Sequence, residues 1–154
     1  MMYQEEMDDF QIRLATLKSQ GFHCSQILML LALERTGRKN PDLVRAMGGI
    51  AKGLWNGGET CGALLGGACI LGFYAGRGRP DEEEDPGLSV MVSSLSEWFR
   101  SEAGLSLGST RCSDILDEYG KTKCPQLVRS VWIKTTELLE ANGIDIYEGR
   151  HLEE

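Results

Sequence analysis

Five cysteines are the residues of this sequence best suited to chemistry, and they stand at positions 24, 61, 69, 112 and 124. Two of them lie in the glycine-rich apolar stretch NGGETCGALLGGACILG, residues 56–72. An odd number of cysteines fits poorly with a fully paired disulfide framework. The acidic N-terminus MMYQEEMDDFQ lacks the basic and apolar regions of an export signal. We therefore expect a cytoplasmic protein, in which cysteines point to metal or redox chemistry, or to simple burial.

Four of the cysteines are predicted to lie at helix N-termini: Cys24, Cys61, Cys112 and Cys124. Cys24 opens an apolar helical segment directly after GFH. Thr60 is a suitable N-cap for a helix with Cys61 in its first turn, and Ser109 or Thr110 could cap a helix containing Cys112. Pro125 suits a first helical position, which makes Cys124 itself the predicted cap. Cys69 alone is predicted to lie in the middle of a helix, where we expect it to pack as a small hydrophobic residue.

This placement has a chemical consequence, because a helix N-terminus has unpaired N–H groups and a partial positive charge. Both favour thiolate, the nucleophilic and metal-binding form, so we predict lowered thiol pKa values. If the four helices converge, their N-termini would surround a thiolate-bound centre of negative charge, and the N–H groups could bond its sulfur atoms. Gly62 and Gly66 share one helix face and would leave room there for a neighbouring helix or a bound group.

The elements that position these cysteines are predicted to be helices throughout, because apolar residues recur at helical spacing and nowhere alternate as in a strand. We predict an all-α, single-domain bundle of about six helices over residues 1–154, with a glycine-rich central helix from about residue 60 to 74. A helix opened by Asn40 and Pro41 should fray or bend at Gly48 and Gly49. Residues 76–87, GRGRPDEEEDPG, are predicted to be an acidic solvent-exposed loop.

Composition excludes several classes of partner. The formal net charge is −7 and no run of Lys or Arg exceeds two residues, which argues against nucleic acid or an anionic membrane surface. The longest apolar run, Cys61 to Ala75, is too short for a membrane span, which needs about 20 residues. Three tryptophans leave room for a homodimer, although core burial would explain them equally well: Trp55, Trp98 and Trp132.

Between about residues 21 and 138 the chain resembles the C-GCAxxG-C-C family, which is described as redox-active proteins of bacteria and archaea. The segment CGALLG, Cys61 to Gly66, is similar to the CGAxxG signature of that family. The segment GFHCSQ resembles the first-cysteine segment, and MGGIAKGLWNGGE resembles its glycine-rich approach to the signature. Cys112 and the segment CPQLV at Cys124 match the third and fourth cysteines in order and rough spacing. Cys69 matches no part of the pattern.

The resemblance implies redox chemistry at the four matched cysteines. Some relatives are fused to c-type haem segments, as in split-Soret cytochromes, where this kind of domain is associated with an iron–sulfur centre. The leading hypothesis is therefore an iron–sulfur cluster, most simply a two-iron one, bound by Cys24, Cys61, Cys112 and Cys124. No C-x-x-C-H motif is present for covalent haem, so an electron partner would be another chain. His23 departs from the pattern and could tune Cys24, serve as an alternative ligand, face solvent, or cap the helix.

Two alternatives stay open at this point. A pair such as Cys61 and Cys124 could cycle between dithiol and disulfide, although no C-x-x-C motif supports it. Four cysteines could also bind structural zinc, although such sites usually use close pairs and the separations here are 37, 51 and 12 residues. Hydrolase chemistry has little support, because the two histidines, His23 and His151, accompany no nucleophile or phosphate-loop motif. The sequence leaves open whether the protein is an enzyme.

Overall fold

Helices form most of this computed structural model, which describes residues 4–102 and 108–149. Within that part of the chain there is no β-strand, and one isolated antiparallel bridge joins Thr60 and Arg111. The predicted all-α class is confirmed, with one helix more than the six expected. The helices are α1 Gln4–Ser19, α2 Cys24–Arg35, α3 Pro41–Met47, α4 Gly62–Ala75, α5 Leu88–Glu102, α6 Cys112–Tyr119 and α7 Cys124–Ala141, with 3₁₀ turns at Gly48–Ile50 and Lys121–Lys123.

Local sequence signals set several of the helix ends. The Asn40 side chain accepts a hydrogen bond from the Leu43 N–H at 3.1 Å, and Pro41 opens α3, as predicted. The same helix ends at Met47, where Gly48 starts a 3₁₀ turn. The α-helix therefore breaks off at the two glycines, where fraying or bending was predicted, and the turn leads the chain towards the cysteine-bearing segment. The acidic loop at residues 76–87 is mostly exposed, as predicted.

The glycine-rich helix α4 lies at the centre and packs against α2, α5 and α7. A Cβ atom at Gly66 would lie 2.8 Å from Leu28 Cδ1 and 3.1 Å from Ser25 Cα of α2. A Cβ atom at Gly67 would lie 2.5 Å from Val131 Cγ1 of α7. Neighbouring helices therefore approach the α4 backbone more closely than any side chain would permit. Two adjacent glycines serve two different interfaces, which explains a composition that costs ~1 kcal/mol per glycine in helix propensity.

The α4–α7 interface contains one polar atom without a partner, the Thr135 hydroxyl. Thr135 is fully buried, and its Oγ1 has no hydrogen-bond partner among the described residues. A buried hydroxyl that makes no hydrogen bond retains its desolvation cost. We expect Thr135→Val to raise the free energy of unfolding by about 1 kcal/mol, measured by chemical denaturation. Thr136→Val is the control, because the Thr136 hydroxyl donates to the Ile133 carbonyl at 2.9 Å. A loss of stability in Thr135→Val would show that the hydroxyl is paired in solution.

No described helix is both long enough and apolar enough to cross a membrane.

Candidate redox site

The four cysteines singled out by sequence all lie where helices begin. Cys24, Cys112 and Cys124 are the first residues of α2, α6 and α7, and Cys61 is the residue directly before α4. The predicted N-cap residue is wrong for three of these helices. Cys61 itself, not Thr60, is the N-cap of α4; Arg111 precedes α6; and Cys124 begins α7 one residue earlier than expected. The error is one or two residues at each end, which leaves the thiols at the N-termini.

A short backbone pairing brings the second and third of these cysteines together. The Cys61 N–H donates to the Thr110 carbonyl at 2.8 Å, and the Cys112 N–H donates to the Glu59 carbonyl at 2.6 Å. These bonds flank the bridge between Thr60 and Arg111. Two segments that are distant in sequence are therefore fixed side by side at the points where α4 and α6 begin. Sequence reasoning missed this pairing, because one bridged residue on each side gives no alternating pattern.

Two glycines allow the closest approaches to the thiols. A Cβ atom at Gly62 would lie 2.6 Å from Cys24 Sγ, so the sulfur of Cys24 rests on the bare backbone beside Cys61. A Cβ atom at Gly53 would lie 2.5 Å from Cys112 Cβ. At Gly66, by contrast, the free space is filled by α2. Of the two glycines predicted to line a bound group, Gly62 contacts a thiol and Gly66 contacts a helix.

The thiols lie near enough to one another to alter each other's pKa values. Burial raises the pKa of Cys61 to about 12, and the nearby thiols of Cys24 and Cys112 raise it further, against hydrogen bonds from the Leu64 and Ala63 N–H groups. The pKa of Cys112 is raised by burial first and then by Cys124 and Cys24. The pKa of Cys124 is raised by burial and by Cys24. Cys24 therefore acts on each of the other three thiols.

The predicted lowering of the thiol pKa values is wrong for three cysteines. The N–H groups at the start of α4 do favour the Cys61 thiolate, as expected of a helix N-terminus. Burial outweighs them, because an unpaired thiolate loses its hydration when the surroundings are apolar. The thiols of Cys61, Cys112 and Cys124 consequently hold their protons at neutral pH, and any metal or cluster that binds them must displace those protons.

The raised pKa of Cys61 gives the protein a specific sensitivity to alkali. The pKa rises from 9.0 to about 12 on folding, so the folded state holds this proton more tightly than the unfolded state. Stability should therefore fall as pH rises through that interval, by up to about 1.4 kcal/mol per pH unit from one thiol. We expect the reduced, metal-free protein to lose stability between pH 9.5 and 10.5 more steeply than Cys61→Ala, measured by urea unfolding. Equal slopes for the two proteins would contradict the assigned shift.

Cys69 has different surroundings. It lies within α4, is partly buried against the hydrophobic core, and has a pKa raised by burial. No other cysteine contributes to that shift.

A turn of left-handed backbone adjoins the thiols. Four consecutive residues have positive φ: Lys52 at 55°, Gly53 at 63°, Leu54 at 60° and Trp55 at 50°. This conformation costs roughly 1–2 kcal/mol for each residue other than glycine. Three hydrogen bonds hold the turn: Trp55 N–H to the Ala51 carbonyl at 2.7 Å, Trp55 Nε1–H to the Gly48 carbonyl at 2.8 Å, and Glu59 N–H to the Gly53 carbonyl at 3.0 Å. Strained backbone of this kind is concentrated at functional sites.

His23 packs under this turn. Its ring lies 4.8 Å from the Trp55 ring in an edge-to-face arrangement. Its backbone N–H donates to Gln26 Oε1 at 3.0 Å, which helps to cap α2 next to Cys24. Burial and then the charge of Lys52 lower the pKa of His23. His23 is thus the N-cap residue of α2, which confirms one of the roles predicted for it, although its ring is partly buried and not fully exposed to solvent.

The described residues contain no group of three or more His, Cys, Asp or Glu side chains arranged to hold a single metal ion. The four thiols influence one another electrostatically without being gathered around one point. The described part of the molecule is thus all-helical, with four thiols at helix N-termini that influence one another's ionisation. The model of the family described as "Putative redox-active protein (C_GCAxxG_C_C)" matches residues 22–138, and the chain belongs to this family. In comparisons with curated proteins and with solved structures, nothing matched the chain.

Proposed function

We propose that this redox-active protein is an electron-transfer protein in which Cys24, Cys61, Cys112 and Cys124 bind a two-iron iron–sulfur cluster. The observation that supports the proposal is the mutual influence of these four thiols at four helix N-termini. Family membership supports the redox class. The cluster would supply one-electron chemistry, and the chain would supply its ligands, its shielding from water and its neighbouring N–H donors.

The absence of a compact group of donors among the residues that the structure describes weighs against a single zinc ion. A zinc ion needs all its sulfur ligands within about 2.3 Å, so at least three thiols would have to meet around one point. No such group exists among the described residues. A two-iron cluster takes two protein thiolates at each iron, so its four ligands are spread over a larger volume. Four thiols that influence one another's ionisation without meeting at one point match that requirement better.

The chain residues have identifiable roles around such a group. The N–H groups of Ala63 and Leu64 donate to the Cys61 sulfur, and hydrogen bonds to cluster sulfurs are one determinant of reduction potential. Gly62 leaves the space that the Cys24 sulfur occupies. Lys18 and Lys121 lower the pKa of Cys124 and would stabilise its thiolate form.

The experiment is reconstitution of the full chain with iron and sulfide in the absence of air. We expect visible absorption bands, an electron paramagnetic resonance signal on one-electron reduction, and two irons and two sulfides per chain. A colourless product that binds no iron would overturn the proposal. Zinc that binds tightly in the same assay, with iron excluded, would favour the structural zinc alternative.

Thiol–disulfide cycling is the second candidate, because the backbone pairing fixes the segments that carry Cys61 and Cys112 next to each other. The high pKa of Cys61 makes it a poor attacking thiolate at neutral pH, which is why we rank this function below the first. Thiol counts before and after mild oxidation separate the two candidates. Reversible loss of two thiols, without bound metal, would favour cycling.

A further inference from the structure

The left-handed turn lies directly against two of the helix N-termini that carry thiols. An added Cβ at Gly62, the first residue of α4, would lie 2.6 Å from Cys24 Sγ and 3.2 Å from the backbone nitrogen of Lys52. An added Cβ at Gly53 would lie 2.5 Å from Cys112 Cβ, at the start of α6. The backbone of the turn therefore packs beside the Cys24 sulfur and against the Cys112 side chain.

The turn directs its backbone towards the thiols and its large side chains towards solvent. Ala51 and Gly53 are buried, whereas Leu54 is 52% exposed and Trp55 is 44% exposed. Since the large apolar side chains of the turn are already exposed, lifting it would uncover the thiols at little cost in apolar burial.

The side chain of Trp55 holds the turn in this position. Its indole N–H donates to the Gly48 carbonyl at 2.8 Å, seven residues earlier, and its backbone N–H donates to the Ala51 carbonyl at 2.7 Å. Its ring lies 4.8 Å from the ring of His23, the residue before Cys24. One side chain therefore ties the turn both to the segment before it and to the N-terminus of α2.

The backbone of the turn is built to change conformation. Lys52, Leu54 and Trp55 have positive φ, and this strain is released when the turn leaves its present position. Pairs of glycines stand on either side, at residues 48–49 and 57–58. Hinges are short segments of this kind that absorb a change in φ and ψ.

We propose that residues 50–56 form a cover over the thiols of Cys24 and Cys112, with Trp55 as its latch. Trp55 is then a positioning residue, which acts on the thiols through the backbone of the turn. The closed cover admits small reagents to the two sulfur atoms and excludes bulky ones. Its purpose rests on the function proposed above, because solvent exposure is one determinant of the potential of an iron–sulfur cluster.

The test compares how fast two reagents of different size react with the reduced, metal-free full chain. A cysteine thiolate attacks methyl methanethiosulfonate, which forms a methyl disulfide and releases methanesulfinate. The same thiolate attacks the bulky dithiobis(nitrobenzoate), which forms a mixed disulfide and releases nitrothiobenzoate. Peptide mass spectrometry at early times gives the rate at each cysteine. Cys69 is the internal control, because it lies about two helical turns beyond the Cys61 cap.

Trp55→Phe removes the indole N–H and keeps an aromatic ring beside His23. Trp98→Phe is the matched control, because α5 carries no cysteine. We expect Trp55→Phe to raise the rate of the bulky reagent at Cys24 and Cys112 about fivefold, the effect of losing one hydrogen bond. The small reagent should change far less, and Trp98→Phe should react like the wild type. Equal acceleration with both reagents would indicate altered thiol ionisation, and equal acceleration of the internal control would indicate general unfolding. Either result would overturn the cover.

Leu54→Asn gives a prediction of opposite sign, which stands on its own if Trp55→Phe does not fold. Asparagine adopts the left-handed conformation more readily than leucine, and residue 54 is exposed, so the substitution should stabilise the closed cover. We expect the bulky reagent to react several-fold more slowly at Cys24 and Cys112. An unchanged or higher rate would contradict the proposal.

These rates are independent of iron, so the cover and the cluster can fail separately. A chain that binds no iron but shows opposite effects in the two variants would keep the cover and lose the cluster. A chain that binds iron and shows neither effect would lose the cover alone.

Discussion

Cys61→Ser is expected to lower the iron bound after reconstitution to less than a tenth of the wild-type amount. Iron–sulfur clusters are held by thiolates, and the serine hydroxyl is a far weaker acid than the thiol. Cys61 is also fixed in place by its surroundings, since it lies beside Gly62, pairs through its backbone with Thr110 and interacts with Cys24 and Cys112. Iron content and the visible absorption spectrum of the anaerobic product measure the effect.

Cys69→Ser is the matched control for this prediction. Cys69 lies in the same helix as the Cys61 cap, and its pKa is raised by burial without any contribution from another cysteine. The Cys69→Ser variant should bind as much iron as the wild type. It should lose at most a little stability, because the new hydroxyl lies in a partly apolar site. Equal loss of iron in both variants would show that the damage is structural. Full iron content in Cys61→Ser would remove Cys61 from the ligand set.

The helical architecture could be predicted from sequence because its signals are local. Apolar periodicity gave α2 its bounds at Cys24 and Arg35, and Asn40 with Pro41 gave the start of α3. The positions of four cysteines at helix N-termini follow from the same signals. Capping details were less accurate, because Thr60 pairs with Arg111 across the chain and leaves Cys61 as the cap.

The ionisation of the site could not be predicted from sequence, because burial is a property of the assembled fold. The helix N-terminus acts on Cys61 in the expected direction, but the surrounding protein decides the outcome by excluding water. The left-handed turn at residues 52–55 could not be predicted from sequence either. Lysine, leucine and tryptophan all disfavour positive φ, so nothing in AKGLW indicates four consecutive residues in this conformation.

The spacing of the glycines in α4 indicated that other groups approach the helix closely. It did not indicate which groups these are. Gly62, Gly66 and Gly67 are adjacent or four apart on one helix, yet they contact a cysteine sulfur, helix α2 and helix α7 respectively. Sequence alone treats them as one small-residue face. The structure separates a glycine that borders the thiols from two that determine how closely helices pack.

Gly62→Ala is therefore expected to reduce bound iron several-fold, although it adds one methyl group. The new Cβ would lie 2.6 Å from Cys24 Sγ, 3.2 Å from the Ile50 carbonyl oxygen and 3.2 Å from the Lys52 nitrogen. Two of these neighbours are backbone atoms at the start of the strained turn, so they cannot move aside as a flexible side chain would. The sulfur of Cys24 must shift instead, which displaces one of the four proposed ligands.

Gly72→Ala is the control on the same helix, because a Cβ atom at Gly72 would meet nothing within 4 Å. Alanine there should stabilise α4 by about 0.5–1 kcal/mol through its higher helix propensity and should leave bound iron unchanged. Chemical denaturation and iron analysis of both variants measure the two effects separately. If Gly62→Ala bound iron like the wild type, Cys24 would have room to move without consequence, and its place in the ligand set would lose its structural support. Opposite behaviour of two identical substitutions on one helix would locate the functional role of α4 at its first residue.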